Sequence, residues 1–405
     1  MAALAALSAF AIKNLDAVAD IYSRSRSFSA GAQVFGKRSS TPLAKSLAHY
    51  TMGIIYDDEL KYALAAKEFE AAILHEPEVS YIHTRLAADR FFLKDIEGAL
   101  KELDTAKALD PADAKPRFIA ALIYTSLNKF EDAGREYQEA IRLAPDSLWA
   151  LSSLADIYVL QEKMADAAGV YEKLIAKDGE SDLLYFNLGV IYSRMGRTDR
   201  AIESLTRAIE LNPEYLEAYI GLGVMHGMKK DFEGAVLNFK KALEIAPDNP
   251  GVHFYLGSFY EGMNEKTLAA KHLRDAIRLD PDFPDAYNYL GYMFAEESVE
   301  LDEALELTKK AVALDPKNGA FRDSLGWALF KKGMTDEALL QIEEALKTDP
   351  DDPVIRDHLG DIYLKMGLRE KALEEWNKSL KFDPKQEKVK EKVRRNIPAK
   401  GIKGR

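Results

Sequence analysis

The sequence predicts an all-α fold, a solenoid of about ten helix-turn-helix repeats that each pack on their neighbours. Prolines recur at a spacing of 34 residues, with one interval of 35 and one of 68, which is two steps of 34. Within each interval apolar residues lie three and four positions apart, which gives two helical segments with one apolar face each. Proline ends the second segment, because it lacks an N–H and disfavours helical backbone in the residue before it. The prolines are Pro77, Pro111, Pro145, Pro213, Pro247, Pro281, Pro316, Pro350 and Pro384.

Residues 216–249 show one complete repeat most clearly. Its landmark positions hold Tyr219, Leu222, Gly223, His226, Ala235, Phe239, Ala242 and Pro247. The small residues allow close approach of the helices, while the large ones fill the space between them. The pattern resembles the tetratricopeptide repeat (TPR), in which a large residue, a Leu-Gly pair and an aromatic residue are followed by Ala, an aromatic residue, Ala and Pro. The resemblance covers residues 46 to about 386, and it implies a right-handed superhelix of helix pairs.

The early repeats are less regular than the later ones. From repeat 5 onward the Leu-Gly pair is intact, whereas repeats 2 to 4 replace its glycine by Ala87, Ala121 and Ala155. The added methyl group is expected to push neighbouring helices slightly apart. We therefore expect a segment of four less regular repeats at residues 46–179 and a segment of six regular repeats at residues 180–384.

Two irregularities interrupt the period. Gly179 stands where a proline is expected, and Leu174 in the same helix replaces the small alanine of other repeats. Glycine also ends helices, so the helix break is kept. We expect a hinge at residues 174–182, with sequence drift of no structural consequence as the alternative. The eighth repeat carries one extra residue within residues 295–302, which we expect in the turn between its two helices.

Basic ends flank an acidic body. Residues 1–45 carry six Lys/Arg and two Asp, and residues 385–405 carry nine Lys/Arg and two Glu, within a chain of net charge -11. Because an acidic body repels phosphate groups, nucleic acid is not an expected ligand. Residues 1–45 are expected to be a flexible or targeting leader, or else a weakly packed cap. Residues 385–405 are expected to form a basic capping helix followed by a loose tail.

Composition narrows the compartment only partly. The sequence has no cysteine, which excludes disulfides, thiolate zinc sites and a cysteine nucleophile. No apolar run reaches the roughly 18 residues that a membrane-spanning helix needs. The later repeats resemble large bacterial TPR proteins, many of them attached to the cell envelope, but the lipid-bearing cysteine of such lipoproteins is absent. The cytoplasm is the expected compartment, and the periplasm or envelope is the alternative if the true start lies elsewhere.

The sequence shows no sign of catalysis. Its seven histidines have no spacing typical of a metal site, and we expect each of them to lie in packing positions or on the surface. Pairs of carboxylates such as Glu343 and Glu344 are typical of solvated helix faces. Because the repeats take up nearly the whole chain, no segment of domain size is left for an active site. We expect no enzymatic activity, no metal and no cofactor.

Aromatic and acidic residues recur on the predicted first helices. In the TPR family these helices line the concave face, so the resemblance implies that particular positions on them contact a partner. Several of these residues could instead pack against neighbouring first helices. The acidic positions of the last repeats predict a partner segment with apolar anchors and a basic stretch there. The candidate residues are Tyr81, Phe91, Phe118, Trp149, Phe186, Ile220, Phe254, Tyr292, Asp323, Trp327, Phe330, Asp357 and Asp361.

These features together predict a non-enzymatic scaffold or adaptor that binds one or more proteins or peptides, in a bacterial multiprotein or cell-envelope complex. One alternative is a structural protein that self-associates, with the basic ends of one copy meeting the acidic bodies of others. Another is an accessory subunit that recruits a protease or a transferase.

Overall fold

The computed structural model describes residues 41–179 and 181–397, which fold into 21 α-helices with no strand among them. The all-α prediction is confirmed. The leader expected at residues 1–45 lies mostly outside the described residues, as does the tail after Ile397. The helices are α1 (Pro42–Asp58), α2 (Tyr62–His75), α3 (Ser80–Phe92), α4 (Ile96–Leu109), α5 (Lys115–Ser126), α6 (Phe130–Leu143), α7 (Leu148–Leu160), α8 (Met164–Asp178), α9 (Asp182–Arg194), α10 (Thr198–Leu211), α11 (Leu216–Met228), α12 (Phe232–Ile245), α13 (Pro250–Gly262), α14 (Lys266–Leu279), α15 (Pro284–Glu297), α16 (Leu301–Leu314), α17 (Gly319–Lys331), α18 (Thr335–Thr348), α19 (Pro353–Lys365), α20 (Arg369–Phe382) and α21 (Glu387–Asn396).

The helices pack in consecutive pairs. Each odd-numbered helix from α1 to α19 packs against the even-numbered helix that follows it, and the two form the first and second helices of one repeat. The last helix, α21, packs against α20 and buries Val389 beside Trp376. The ten helix pairs predicted from the period are therefore present, and the solenoid class is confirmed.

The described chain divides into two compact units. The N-terminal unit ends at Asn212 and the C-terminal unit begins at Pro213. Within each unit, the second helix of a repeat also packs against the first helix of the next repeat. The division falls after repeat 5, one repeat later than the change in regularity that the sequence predicts after residue 179.

The glycine of the Leu-Gly pair marks a close approach between the two helices of a repeat. A Cβ atom on Gly223 would lie 2.6 Å from Cζ of Phe239, and one on Gly360 would lie 2.4 Å from Nε1 of Trp376. Both distances are shorter than real carbon contacts, so any larger residue would push the second helix away. The buried aromatic ring and the glycine opposite it therefore form one packing unit in the repeat.

Side-chain caps start several of the first helices. Oδ1 of Asn249 accepts a hydrogen bond from the N–H of Val252 at 3.1 Å, and Oδ1 of Asp352 accepts one from the N–H of Ile355 at 3.0 Å. Proline occupies the next position in both helices, where its missing N–H costs nothing. These caps place the helix starts where the sequence pattern predicts them.

The turns inside the repeats share one unusual backbone conformation. A residue with positive φ follows the first helix in repeat after repeat, including Leu60, Lys94 and Gly333. In the eighth repeat two residues, Ser298 and Glu300, have positive φ between α15 and α16. The structure thus places the extra residue of this repeat in the turn between its helices, as predicted.

Gly179 ends α8 differently from the residues that end the other second helices. Its φ of 88° and ψ of -163° belong to a region that essentially only glycine occupies. The residue at the corresponding place in α12, Ala246, has φ of -130° and ψ of 82°. Leu174 is buried in the same helix. The helix break predicted at Gly179 is present, while the hinge at residues 174–182 stays a prediction.

Candidate partner-binding face

The predicted partner-binding residues all lie on first helices, but they differ in how much of their surface is free. We call this set of positions the first-helix face. Tyr81 is 51% exposed and Trp149 is 38% exposed. Three candidates are buried, namely Phe118, Asp323 and Trp327. The candidates of intermediate exposure are Phe91, Phe186, Ile220, Phe254, Tyr292, Phe330, Asp357 and Asp361.

The N-terminal unit carries two aromatic pairs at equivalent positions. The ring centroids of Tyr50 and Tyr81 lie 5.0 Å apart with the rings edge to face, and those of Phe118 and Trp149 lie 5.9 Å apart. In each pair the second residue stands at the start of a first helix and rests on the first helix of the preceding repeat. Because Tyr81 and Trp149 remain substantially exposed, each pair presents one exposed aromatic ring that packs on a second ring, Tyr50 or Phe118.

Most of the aliphatic and aromatic candidates in the C-terminal unit are parts of its core. Ile220, Phe254, Tyr292 and Phe330 pack against a cluster of buried residues in this unit. The ring of Phe254 lies 5.8 Å from that of Tyr289, which belongs to the next first helix. The alternative noted from the sequence, packing between first helices, therefore accounts for much of their surface.

Asp323 and Trp327 are covered by a histidine from the following repeat. Nδ1 of His358 on α19 donates a hydrogen bond to Oδ1 of Asp323 at 2.8 Å, and its ring stacks on Trp327 with centroids 4.1 Å apart. Nε1 of Trp327 donates to Oε2 of Glu296 at 2.8 Å. Both candidates therefore have partners within the molecule, because the first helix of the next repeat covers a surface that would be exposed in an isolated repeat.

His358 titrates in an acidic environment. Burial opposes protonation of its ring, but the carboxylate of Asp323, together with those of Asp357 and Asp361, raises the pKa of His358 above its ordinary value. The side chain of His358 therefore stays protonated to a higher pH in the folded C-terminal unit than in the unfolded chain. It compensates part of the negative charge that the sequence places in the last repeats.

A lysine of the last helix forms ion pairs with the other two acidic candidates, Asp357 and Asp361. Nζ of Lys392 on α21 lies 2.7 Å from Oδ1 and 2.9 Å from Oδ2 of Asp357, and 2.7 Å from Oδ2 of Asp361. Burial raises the pKa of Asp361 more than the ammonium group lowers it. The basic capping helix thus contributes a cation directly to the first-helix face of repeat 10.

Sequence reasoning missed His358 and Lys392, although the repeat pattern contained a signal for both. Each lies 35 residues after the aspartate that it contacts, Asp323 or Asp357, and each occupies the same place in its helix. Neither contact is visible when each helix is considered alone, because the two residues of each pair belong to different helices. Aligning successive repeats and asking which residue follows an acidic position by 35 would have found both cations.

Comparisons with known proteins agree with this architecture. Tetratricopeptide repeat models match residues 120–182, 183–215, 216–249, 259–319, 297–357 and 355–386. A comparison with curated proteins finds no significant match. None of the helices in residues 41–179 and 181–397 is both long and apolar enough to cross a membrane.

Two solved structures show the same fold at low sequence identity. One is the APC/C hetero-tetramer Cut9–Hcn1, with 14% identity and a TM-score of 0.50 over 87% of this chain and 90% of that chain. The other is Naa15/Naa10 bound to HypK-THB, with 16% identity and a TM-score of 0.51 over 87% of this chain and 66% of that chain. Since the matched repeats take in more than half of the sequence and the helices pair as repeats of this type do, the chain belongs to the tetratricopeptide repeat family.

Proposed function

We propose that this protein is a non-enzymatic scaffold whose first-helix face binds segments of partner proteins. The observation that carries the proposal is the pair of exposed aromatic residues, Tyr81 and Trp149, each held on a second aromatic ring. Large exposed aromatic side chains on a rigid support are typical anchors of protein interfaces. Repeats of this family are generally interaction modules without catalytic activity, which supports the same conclusion.

The charge of the chain indicates what kind of segment binds. Residues 46–384 carry most of the negative charge, because both ends are basic while the whole chain has a net charge of -11. The contact of α21 provides an example inside the molecule, since this helix presents Val389 and Lys392 together to the last repeat. We expect the partner segment to combine apolar anchors with Lys or Arg in the same way.

A separate partner fits this face better than a second copy of the chain. Three of the five cations of α21 are already paired within the C-terminal unit: Lys392 with two aspartates, Lys390 with Glu387 and Arg395 with Glu391. A neighbouring copy would have to break these ion pairs to donate the same cations. The contacts therefore favour a partner protein over self-association through α21.

The proposal is tested by removing the two aromatic anchors. Peptides that bind the wild-type chain are selected from a random peptide library, and their dissociation constants are measured by fluorescence polarisation. We expect the double variant Tyr81→Ala/Trp149→Ala to bind these peptides at least about tenfold more weakly, because loss of an interface anchor typically costs more than 1 kcal/mol. We also expect the selected peptides to be rich in Lys or Arg and in apolar residues.

A matched control removes two apolar residues of second helices that are more exposed than the two anchors. Leu74 on α2 is 84% exposed and Leu237 on α12 is 61% exposed, so Leu74→Ala/Leu237→Ala changes surface apolarity without touching the first-helix face. This control should bind like the wild type, and both double variants should keep their far-UV circular dichroism. Equal affinity of the aromatic variant and the control would contradict the proposal.

A further inference from the structure

A cross-helix polar pair recurs inside the repeats. A side chain on the first helix contacts a side chain on the second helix 19 residues later, and in several repeats a cation or histidine meets a carboxylate. The distances are 2.7, 2.6 and 2.6 Å, in that order, for the pairs His49–Glu68, His83–Glu102 and Arg356–Glu375. This pair links the two helices of one repeat, with histidine or arginine on the first helix and glutamate on the second.

The seventh repeat departs from that rule by placing a histidine at both positions. Nδ1 of His253 on α13 lies 3.0 Å from Nδ1 of His272 on α14, with no carboxylate between them. Histidine at the second position does not offer the carboxylate acceptor that Glu68, Glu102 and Glu375 provide at the same position of their repeats. Two ring nitrogens at this distance share either a proton or a metal ion, since two facing lone pairs would repel each other.

The backbone fixes which nitrogen of His253 carries the proton. Nε2 of His253 lies 3.2 Å from the carbonyl oxygen of Pro247, and a carbonyl oxygen can only accept a hydrogen bond. Nε2 therefore carries the hydrogen, and the neutral ring presents the lone pair of Nδ1 toward His272. A backbone carbonyl that orients one ring nitrogen and frees the other is the usual support of a metal-binding histidine.

A carboxylate completes the group of ligand atoms. Asp275 lies on α14 three residues after His272, and its Oδ2 is 4.0 Å from Nδ1 of His253. Within the described residues, the ligand atoms of these three side chains all lie within 4.8 Å of one another. Ligand atoms around tetrahedral zinc stand about 3.3 Å apart, given bonds of about 2.0–2.2 Å. Small side-chain rotations would bring all three atoms to that spacing.

The carboxylate of Asp275 also has outer support. Its Oδ1 accepts a hydrogen bond from Nη2 of Arg278 at 3.2 Å, which leaves Oδ2 directed to the histidines. The ring of His272 is held in place by stacking on Tyr260, with centroids 5.5 Å apart. Two of the three ligands thus have a hydrogen-bonding partner behind them, and the third is fixed by packing.

We propose that His253, His272 and Asp275 form a binding site for a divalent transition metal ion, which links the two helices of repeat 7. Two imidazoles and one carboxylate suit ions that prefer nitrogen and oxygen ligands, such as Zn²⁺, and leave a coordination position for water or for a group of a partner. The neighbouring cations Lys271 and Lys240 oppose binding of a metal ion near His272 but form no hydrogen bond with the three ligand side chains. The site takes the place of the ion pair found in other repeats.

The test measures Zn²⁺ binding to the full chain at pH 7.5. We expect one tight equivalent in competition with a chromophoric chelator, a rise in the unfolding temperature on adding Zn²⁺, and tetrahedral visible bands when Co²⁺ is substituted. His272→Gln should weaken binding at least tenfold and abolish the temperature shift, and so should Asp275→Asn. Glutamine is tolerated at the equivalent position of repeat 9, where Gln341 accepts a hydrogen bond from Arg322 at 3.2 Å.

The matched control changes a histidine of the same type in another repeat. His83→Gln disrupts the pair with Glu102 in the N-terminal unit and should leave Zn²⁺ affinity and stoichiometry unchanged. Absence of binding by the wild-type chain would overturn the proposal. It would also be overturned if His272→Gln, folded by circular dichroism, bound Zn²⁺ as tightly as the wild type.

Discussion

A buried acid in the N-terminal unit illustrates how one residue couples the fold to pH. Asp89 is 1% exposed on α3 and lies beside Asp57, which pairs with Arg85 at 3.1 Å. Burial, and then the charge of Asp57, raises the pKa of Asp89 to about 9. Because the same residue has a pKa of about 3.9 in an unfolded chain, the folded state keeps a proton that the unfolded state loses.

Asp89→Asn should therefore remove a pH dependence of stability. In the wild type the free energy of unfolding falls as pH rises from about 4 to about 9, by at most about 1.4 kcal/mol per pH unit from this group. The variant cannot ionise, so we expect it to lie within about 1 kcal/mol of the wild type near pH 4, to be the more stable protein already at pH 6, and to exceed the wild type by a larger margin at pH 9. Urea unfolding at pH 4, 6, 7.5 and 9 measures the difference.

An exposed neighbour provides the comparison for this experiment. Asp58 lies on α1 beside Asp57 and is exposed, so Asp58→Asn makes the same chemical substitution without removing a buried acid. This variant should keep the wild-type slope of stability against pH. The interpretation fails if Asp89→Asn retains that slope as well.

Residues differ in how far the sequence alone predicts their surroundings. The partnership of Gly223 and Phe239 is predictable, because both belong to one repeat and one hairpin. The burial of Asp323 and Trp327 is not, because it depends on His358 in the next repeat. Sequence periodicity describes contacts within a repeat well, whereas the contacts that decide exposure of the first-helix face join successive repeats.

At the scale of elements, helix limits were easier to predict than the turns between helices. Apolar spacing and proline placed the 21 helices, while the positive φ of the turn inside each repeat has no consistent residue type. Gly196, Gly333 and Gly367 occupy it in some repeats, whereas Lys94 and Lys230 occupy it in others. Only glycine adopts this backbone without cost, so the lysines adopt it because the helices on either side require it.

Exchanging residues at this turn position should change stability in opposite directions. Lys230 has φ of 61° and is exposed, so Lys230→Gly should stabilise the C-terminal unit by about 1 kcal/mol by relieving backbone strain. Gly333 has φ of 87°, and the space beside its Cα is open, so a lysine there meets backbone strain alone. Gly333→Lys should therefore destabilise the unit by about 1–2 kcal/mol. Denaturant titrations of both variants measure the two changes, and a destabilised Lys230→Gly protein would refute the strain argument.

At the scale of the whole molecule, the repeat class follows from the period, but the division into two units does not. Pro213 follows Gly179 by the same 34 residues that separate other repeats, and the Leu-Gly pairs are intact on both sides of it. No change of composition or spacing therefore marks residue 213. A division of this kind arises from how densely helices contact one another, which a sequence of similar repeats does not reveal.

The C-terminal unit should fold without the N-terminal unit. Because each repeat contacts mainly its neighbours, a fragment of residues 213–405 keeps the contacts among α11 to α21. We expect this fragment to show the helical circular dichroism of folded repeats and to unfold cooperatively in urea. It should also keep the Zn²⁺ affinity of the full chain if the site at His253 is correct, since all three ligands lie within it.

A shorter fragment tests whether α21 is needed to close the end of this unit. Residues 213–384 lack Val389, which packs on Trp376, and Lys392, which neutralises Asp357 and Asp361. Loss of one buried apolar side chain and of a partly buried cation should lower the free energy of unfolding by about 2–4 kcal/mol. Equal stability of the two fragments would show that α21 is not a structural cap, and an unfolded 213–405 fragment would show that the two units do not fold independently.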